Sequence, residues 1–173
     1  WSGHEDPQQP NVPEHNPVAL YRVRFDAGDA IADAIGENRQ VTLTFHGAQT
    51  AIYVWLNGTF IGYGEDSFTP SEFDVSRAIK KQNNVLAVAL YQYTSASWLE
   101  DQDYWRLYGL FRSVELTAHP AVHINDLQLV ADYDHTTGEG AIRGTMTLNN
   151  AENADRVAAR LLDGDGNVAW TGE

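Results

Sequence analysis

Two carboxylates, Asp101 and Asp103, stand two positions apart inside the stretch 97–112, which reads SWLEDQDYWRLYGLFR. In an extended segment, side chains at i and i+2 point the same way. Two acids on one face could bind a cation, accept sugar hydroxyls, or serve as acid and base. Glu100 and Gln102 place more polar oxygens beside them, and Trp98, Tyr104, Trp105 and Tyr108 offer flat apolar faces with polar tips. Such faces suit the C–H side of a sugar ring. On residue types alone the structural alternative weighs more. In that alternative the acids pair with Arg106 and Arg112 to hold the loop in shape, and the tryptophans belong to a β core.

Other constellations are weaker. His119 and His123 fall four apart, but Pro120 sits between them in a region that reads as extended, so they share no helix face and a zinc site has little support. His46 and His123 lie in strand-like runs and read as hydrogen-bonded structural residues. Gly62-Tyr63-Gly64 has no following Lys or helix start, which argues against a phosphate loop. Its glycines instead signal a bend or a close backbone approach. No G-x-S-x-G elbow occurs. Asp163-Gly164-Asp165-Gly166-Asn167 has the opening spacing of a calcium loop but lacks the later Glu, and strand-like flanks favour a hairpin turn. Glu65-Asp66 and the pair Glu72 and Asp74 read as acidic turns, solvated or capping. Asn57-Gly58-Thr59 spells a glycosylation acceptor, but the hairpin turn accounts for it.

These groups need a scaffold, and composition allows one. The chain has 173 residues, 43% of them hydrophobic, enough for one domain of ordinary size and part of a second. Its net charge of −13 argues against nucleic-acid binding, which needs clustered Lys and Arg, and favours neutral or cationic partners. No apolar run is long enough to span a bilayer, so no membrane role is expected. The absence of cysteine excludes disulfides and thiolate metal sites and fits a reducing, cytoplasmic location. The start at Trp1, without Met and without a signal segment after it, leads us to expect a trimmed piece of a longer protein.

Residues 1–17 hold Pro7, Pro10, Pro13 and Pro17 and read as an extended arm, either a disordered tail or a strap over a partner surface. Residues 18–119 read as all-β. Strands are expected at 18–25, 41–45, 51–56, 59–63, 72–75, 85–93 and 113–118, with short helical turns at 30–35 and 76–80. Asn57-Gly58 marks a type I′ hairpin. Residues 94–97 are a run of small residues leading into a polar loop, 97–112, of the kind on which binding groups concentrate. Many short strands between turn signals argue a sandwich, jelly roll or barrel. His119-Pro120 looks like a boundary. Beyond it, 123–133, 140–149, 156–162 and 167–171 read as four strands, too few for an immunoglobulin-like sandwich. A domain at 120–173 that is cut off partway is the expectation.

Two segments carry a family resemblance. Gly62-Tyr63-Gly64-x-Asp66-Ser67-x-x-Pro70-Ser71-Glu72-Phe73-Asp74 is followed by Leu99-Glu100-Asp101-Gln102-Asp103-x-Trp105-Arg106-x-x-Gly109-x-Phe111-Arg112. Together they resemble the sugar-binding domain of family 2 glycoside hydrolases, most closely that of the large, lacZ-like bacterial β-galactosidases. The resemblance covers about residues 11–120. It implies a galactose-binding-like jelly-roll β-sandwich at 18–119, the beginning of an immunoglobulin-like β-sandwich at 120–173, and a TIM barrel beyond, carrying the two glutamates of a retaining β-galactosidase. It also implies that Asp103 reaches into the barrel's active site, contacts the galactose and helps to ligate a sodium ion that meets the sugar's 6-hydroxyl. A magnesium ion is implied for the parent enzyme only, and the parent is expected to be a homo-oligomer. A sugar-contacting Asn-Val pair that the family places before the arm is missing from this sequence. The chain itself is expected to be catalytically inert, with no cofactor held tightly. Two rival expectations are a free-standing carbohydrate-binding module using Trp98, Trp105 and Tyr108, and an architectural or oligomerisation domain. A sibling specificity, β-glucuronidase or β-mannosidase, stays open. Trp105, Arg106, Gly109 and Arg112 are expected to be scaffold around Asp103.

Overall fold

The computed structural model describes residues 8–100, 105 and 107–172. They fall into two compact units, Trp1–His119 and Pro120–Glu173. The first unit holds strands β1 (Val18–Phe25), β2 (Val41–Phe45), β3 (Ala48–Gln49), β4 (Ala51–Leu56), β5 (Thr59–Glu65), β6 (Ser71–Asp74), β7 (Asn84–Tyr91), β8 (Gly109–Leu110) and β9 (Val114–Ala118). Helices α1 (Asp29–Gly36) and α2 (Ala96–Leu99) complete it. The strands form a four-stranded antiparallel sheet, β1-β7-β4-β5, a three-stranded one, β6-β2-β9, and a short β3-β8 ribbon.

Period-two patterning makes the core. It buries Ile52, Val54 and Leu56 of β4 and Leu86, Val88 and Leu90 of β7, which meet Val41, Leu43 and Phe45 of β2 in one apolar cluster. Ile31 and Ala34 of α1 and Val75 and Ile79 belong to the same cluster. Each fully buried large side chain, such as Phe45 or Ile52, contributes roughly 1.5–3 kcal/mol.

The β4–β5 hairpin turns at Asn57 and Gly58, both at positive φ (55° and 83°), as a type I′ turn requires. The Asn57 side chain does more than allow the turn. Its Nδ2 donates to Ala78 O at 2.8 Å and to Asn84 Oδ1 at 2.9 Å, and its Oδ1 accepts from Val85 N at 2.9 Å. Asn84, fully buried, closes the loop around 80–84 by bonding both Lys80 N and Lys80 O.

Several expected boundaries change. The short helical turn expected at 76–80 is present as a single hydrogen-bonded turn, with Ala78 N and Ile79 N both donating to Val75 O. The stretch 97–112 is not one loop: α2 occupies its start, and Gly109–Leu110 pairs with Ala48–Gln49 near its end. The described part of the arm is not a tail, and it lies on its own unit. Asn16 brackets Tyr93, with Nδ2 donating to Tyr93 O at 2.8 Å and Oδ1 accepting from Tyr93 N at 3.0 Å. Gln92 N donates to Pro17 O at 3.1 Å.

The second unit consists of β10 (His123–Asp134), β11 (Glu139–Asn149), β12 (Ala159–Leu162) and β13 (Val168–Gly172). Among the described residues, β10 pairs only with β11 and β12 only with β13, both antiparallel. The third strand starts at Ala159, not at the expected 156. None of the described residues of this unit is buried, and Leu129, Tyr133, Ile142 and Trp170 are more than half exposed.

Candidate functional site

The turn at 66–70, between β5 and β6, is a hub. The Asp66 carboxylate closes it, accepting from Phe68 N at 2.9 Å, Thr69 N at 3.0 Å and the Thr69 hydroxyl at 2.5 Å. The Thr69 hydroxyl and these two amides hold its pKa below the usual carboxylate value. Ser67, fully buried, points the other way. Its amide and its hydroxyl donate to the two oxygens of Glu100 at 2.7 and 2.6 Å. Glu100 follows the last residue of α2, and its own amide closes that helix on Ala96 O at 2.8 Å.

The opposite side of the turn holds Arg112. Its Nη1 donates to Phe68 O at 2.9 Å and to His46 O at 3.2 Å. The guanidinium lies 5.2 Å from the centre of the Phe111 ring, which meets Phe68 edge-on at 6.0 Å. Gly47 makes this approach feasible. A Cβ there would lie 2.8 and 2.9 Å from Phe111 ring carbons and 3.0 Å from Arg112 Cδ. Gly62 serves β5 and β6 in the same way, since its Cβ would sit 2.6 Å from the Phe73 ring. The bend-or-approach reading of Gly62 and Gly64 therefore resolves to close packing against β6.

A second polar constellation sits beside α2. Tyr53, Tyr63, Tyr91, Tyr93, Glu65, Thr94 and Ser95 line a cavity of about 210 Å³. Tyr53 packs against Tyr63 and Tyr91 with ring centres 4.8 and 5.6 Å apart. Glu65 accepts from the Tyr63 hydroxyl at 2.5 Å, Ala96 N at 2.9 Å and the Ser95 hydroxyl at 3.2 Å. Burial pushes its pKa up, but the neighbouring Thr94 and Tyr63 hydroxyls, the Ala96 amide and Ser95 together hold it below its usual value. Burial first, then the bond to Glu65, pushes the Tyr63 phenol well above its ordinary value. Near neutral pH the pair is therefore an ionised acceptor and a neutral donor, fitted to binding and positioning rather than to proton transfer.

Asp101, Gln102, Asp103, Tyr104 and Arg106 lie outside the described residues. The expected pairing of the two acids with Arg106 and Arg112 falls partly there too. Arg112 bonds the two carbonyls named above. Trp98, a core residue in one reading and a sugar platform in the rival one, donates its indole N–H to Asn11 O at 2.9 Å and fastens the arm. Trp105 is 86% exposed. His46 pairs with Glu115 at 3.3 Å, His119 Nε2 lies 2.9 Å from Thr42 Oγ1, and His123 Nδ1 lies 2.8 Å from Pro120 O. No cluster of three metal-ligating side chains occurs among the described residues. Asp163 folds its carboxylate back onto Asp165 N, Asn167 N and Asn167 Nδ2, the mark of a hairpin turn rather than a calcium loop. The Glu100–Ser67 fork was missed in sequence. The motif contains both residues, but nothing in their types shows which partner each takes.

The model of the family described as "Glycosyl hydrolases family 2, sugar binding domain" matches residues 6–120. The chain belongs to this family. The chain is 52% identical to the β-galactosidase BgaC of Bifidobacterium adolescentis over 98% of its length and 18% of that protein. It is 55% identical to a β-galactosidase of Lactobacillus delbrueckii subsp. bulgaricus over 95% of this chain and 16% of that protein. The chain thus spans less than a fifth of these relatives. Among solved structures, a Bifidobacterium dentium β-glucuronidase shares the fold with a TM-score of 0.68 at 24% identity, over 90% of this chain and 30% of that one.

Proposed function

We propose that this chain is a non-catalytic part of a retaining β-galactosidase that hydrolyses terminal β-D-galactosides such as lactose. The observation that carries the reading is the 52–55% identity to β-galactosidases along nearly the whole chain. The structural likeness to β-glucuronidases lies at 20–24% identity and bears on fold alone. In this reading the first unit is a jelly-roll sandwich and the second begins an immunoglobulin-like one. The catalytic glutamates sit on a TIM barrel outside the chain, and the parent is a cytoplasmic homo-oligomer.

Asp103 is the residue we assign to substrate. It reaches the galactose in the barrel's active site and shares a sodium ion with it. A carboxylate is the oxygen donor a hard cation takes, but one side chain cannot hold sodium alone, so the remaining ligands come from outside the chain. Magnesium is implied for the parent enzyme only through the family resemblance. When bound, such an ion would supply positive charge for the sugar's hydroxyls, with Asp103 as one of its oxygen donors. The chain's own part is to present the carboxylate and to keep its flanks in place.

The test compares the 173-residue chain with the intact protein on a chromogenic β-galactoside. The intact protein turns it over and the chain does not. Saturable hydrolysis by the chain alone, or an intact protein that cleaves β-glucuronides and not β-galactosides, would overturn the reading. Calorimetry with galactose and lactose distinguishes a free-standing binding module, which would bind sugar as the isolated chain.

A further inference from the structure

We propose that Asn57 is a deamidation site which the native fold holds closed, and that reaction there in the unfolded chain removes the side chain the β4–β5 hairpin needs to refold. The inference does not rest on the activity of the parent. Asn57-Gly58 is the one Asn-Gly pair in the sequence. Glycine has no side chain to shield its amide or to restrict its backbone, so attack by the following nitrogen on the Asn side chain is least hindered in this pair. The Gly58 nitrogen bonds to Cγ of Asn57 and a cyclic imide closes. The Asn57 amide nitrogen leaves as ammonia, taking the proton that Gly58 loses. Water then opens the ring at either carbonyl, leaving an aspartate or an isoaspartate with an extra methylene in its backbone.

The native seat opposes the attack. Asn57 Nδ2 donates to Ala78 O at 2.8 Å and to Asn84 Oδ1 at 2.9 Å, and Oδ1 accepts from Val85 N at 2.9 Å. The Asn57 backbone N donates to Val85 O at 2.8 Å as well. The side chain must leave these partners before Cγ can turn to the Gly58 nitrogen. Steric shielding is not the cause, since even a Cβ on Gly58 would meet nothing within 4 Å. With each side-chain bond contributing roughly a factor of five, the seat gives about 100-fold protection. The product fits the seat badly. A carboxylate oxygen in place of Nδ2 faces two acceptors, Ala78 O and Asn84 Oδ1, with no proton to share. Asn84 is fully buried and its Oδ1 also accepts from Lys80 N, so the mismatch reaches the loop at 80–84. An isoaspartate lengthens the two-residue turn between Leu56 and Thr59.

The experiment incubates the 173-residue chain at mildly alkaline pH, in native buffer and in urea, and follows the peptide 51–65 by mass and by isoaspartate labelling. Asn57 is expected to deamidate about 100-fold more slowly in native buffer than in urea. Asn84→Ala removes one acceptor of Nδ2, so in native buffer it is expected to deamidate at Asn57 about five-fold faster than the unsubstituted chain, with circular dichroism showing it folded. Chains aged in urea are expected to lose native signal on dilution in proportion to the fraction deamidated at Asn57, and Asn57→Asp to unfold at lower urea than the unsubstituted chain. Equal rates in native buffer and in urea would overturn the protection, and that comparison alone decides it should Asn84→Ala fail to fold. An unchanged rate in folded Asn84→Ala would overturn the side-chain bonds as its cause. Full refolding of the aged chain, or an unchanged urea midpoint for Asn57→Asp, would overturn the block on refolding.

Discussion

Gly47→Ala separates the stability of the first unit from the geometry of its site. Its Cβ would sit 2.8 and 2.9 Å from the Phe111 ring and 3.0 Å from Arg112 Cδ. Ordinary carbon contacts begin near 3.5 Å, so the ring must retreat by roughly 0.7 Å. Phe111 is 45% exposed and can swing outward, so the cost falls at the low end of overpacking, about 1 kcal/mol. Arg112 moves with it. Its bond to His46 O, already 3.2 Å long, breaks, and the bond to Phe68 O at 2.9 Å stretches. The hold of Arg112 on the 66–70 turn is then loose, and if this turn supports the proposed substrate contact, kcat/KM of the intact protein is expected to fall about 10-fold or more. Urea unfolding of the chain gives the first quantity and steady-state kinetics of the intact protein the second. A stability loss above about 3 kcal/mol, or a fully folded variant with parental kcat/KM, would refute the reasoning.

Three other outcomes are expected. Asn84→Ala strips Lys80 N and Lys80 O of their partner and one acceptor from Asn57, so urea unfolding should show a loss of about 3 kcal/mol; less than about 1 kcal/mol would mean water replaces it. Glu65 and Asp66 have folded-state pKa values lowered below their unfolded ones, so their contribution is present above the usual carboxylate pKa of about 4 and is lost as pH falls through the lowered values. The urea midpoint should therefore drop below about pH 4, and less so in Glu65→Gln; an identical pH profile for that variant would contradict this. Amide exchange should be faster in 123–172 than in β2, β4 and β7, because the described residues of the second unit form two separate hairpins with no buried residue among them. Uniform protection across both units of a monomer would count against it.

Strand periodicity and the Asn57-Gly58 turn made most of the first unit legible, because alternation fixes which face is buried and the turn residues fix where the chain reverses. The helix α2 was not legible. Ala96–Leu99 has no side-chain cap, and its first turn is held from a distance by Glu65. The two-residue β3-β8 ribbon is too short to show a period, and it exists because Gly47 admits Phe111. At the site, motif residues were visible but their partners were not. Arg112 suits any acceptor, and only tertiary packing sends it to the carbonyls of Phe68 and His46. Trp98 could be read as core or as a ring face by its type, and neither reading showed that its N–H serves the arm at Asn11.

The most direct test of the account is kcat/KM of the intact protein carrying Asp103→Asn, measured on a chromogenic β-galactoside beside its melting temperature. The account predicts a fall of about 100-fold with the melting temperature unchanged, since the substitution keeps the shape and removes the charge that, in the proposed reading, would meet the sugar and its ion. A variant within about two-fold of the parent would contradict it and leave this domain as scaffold alone.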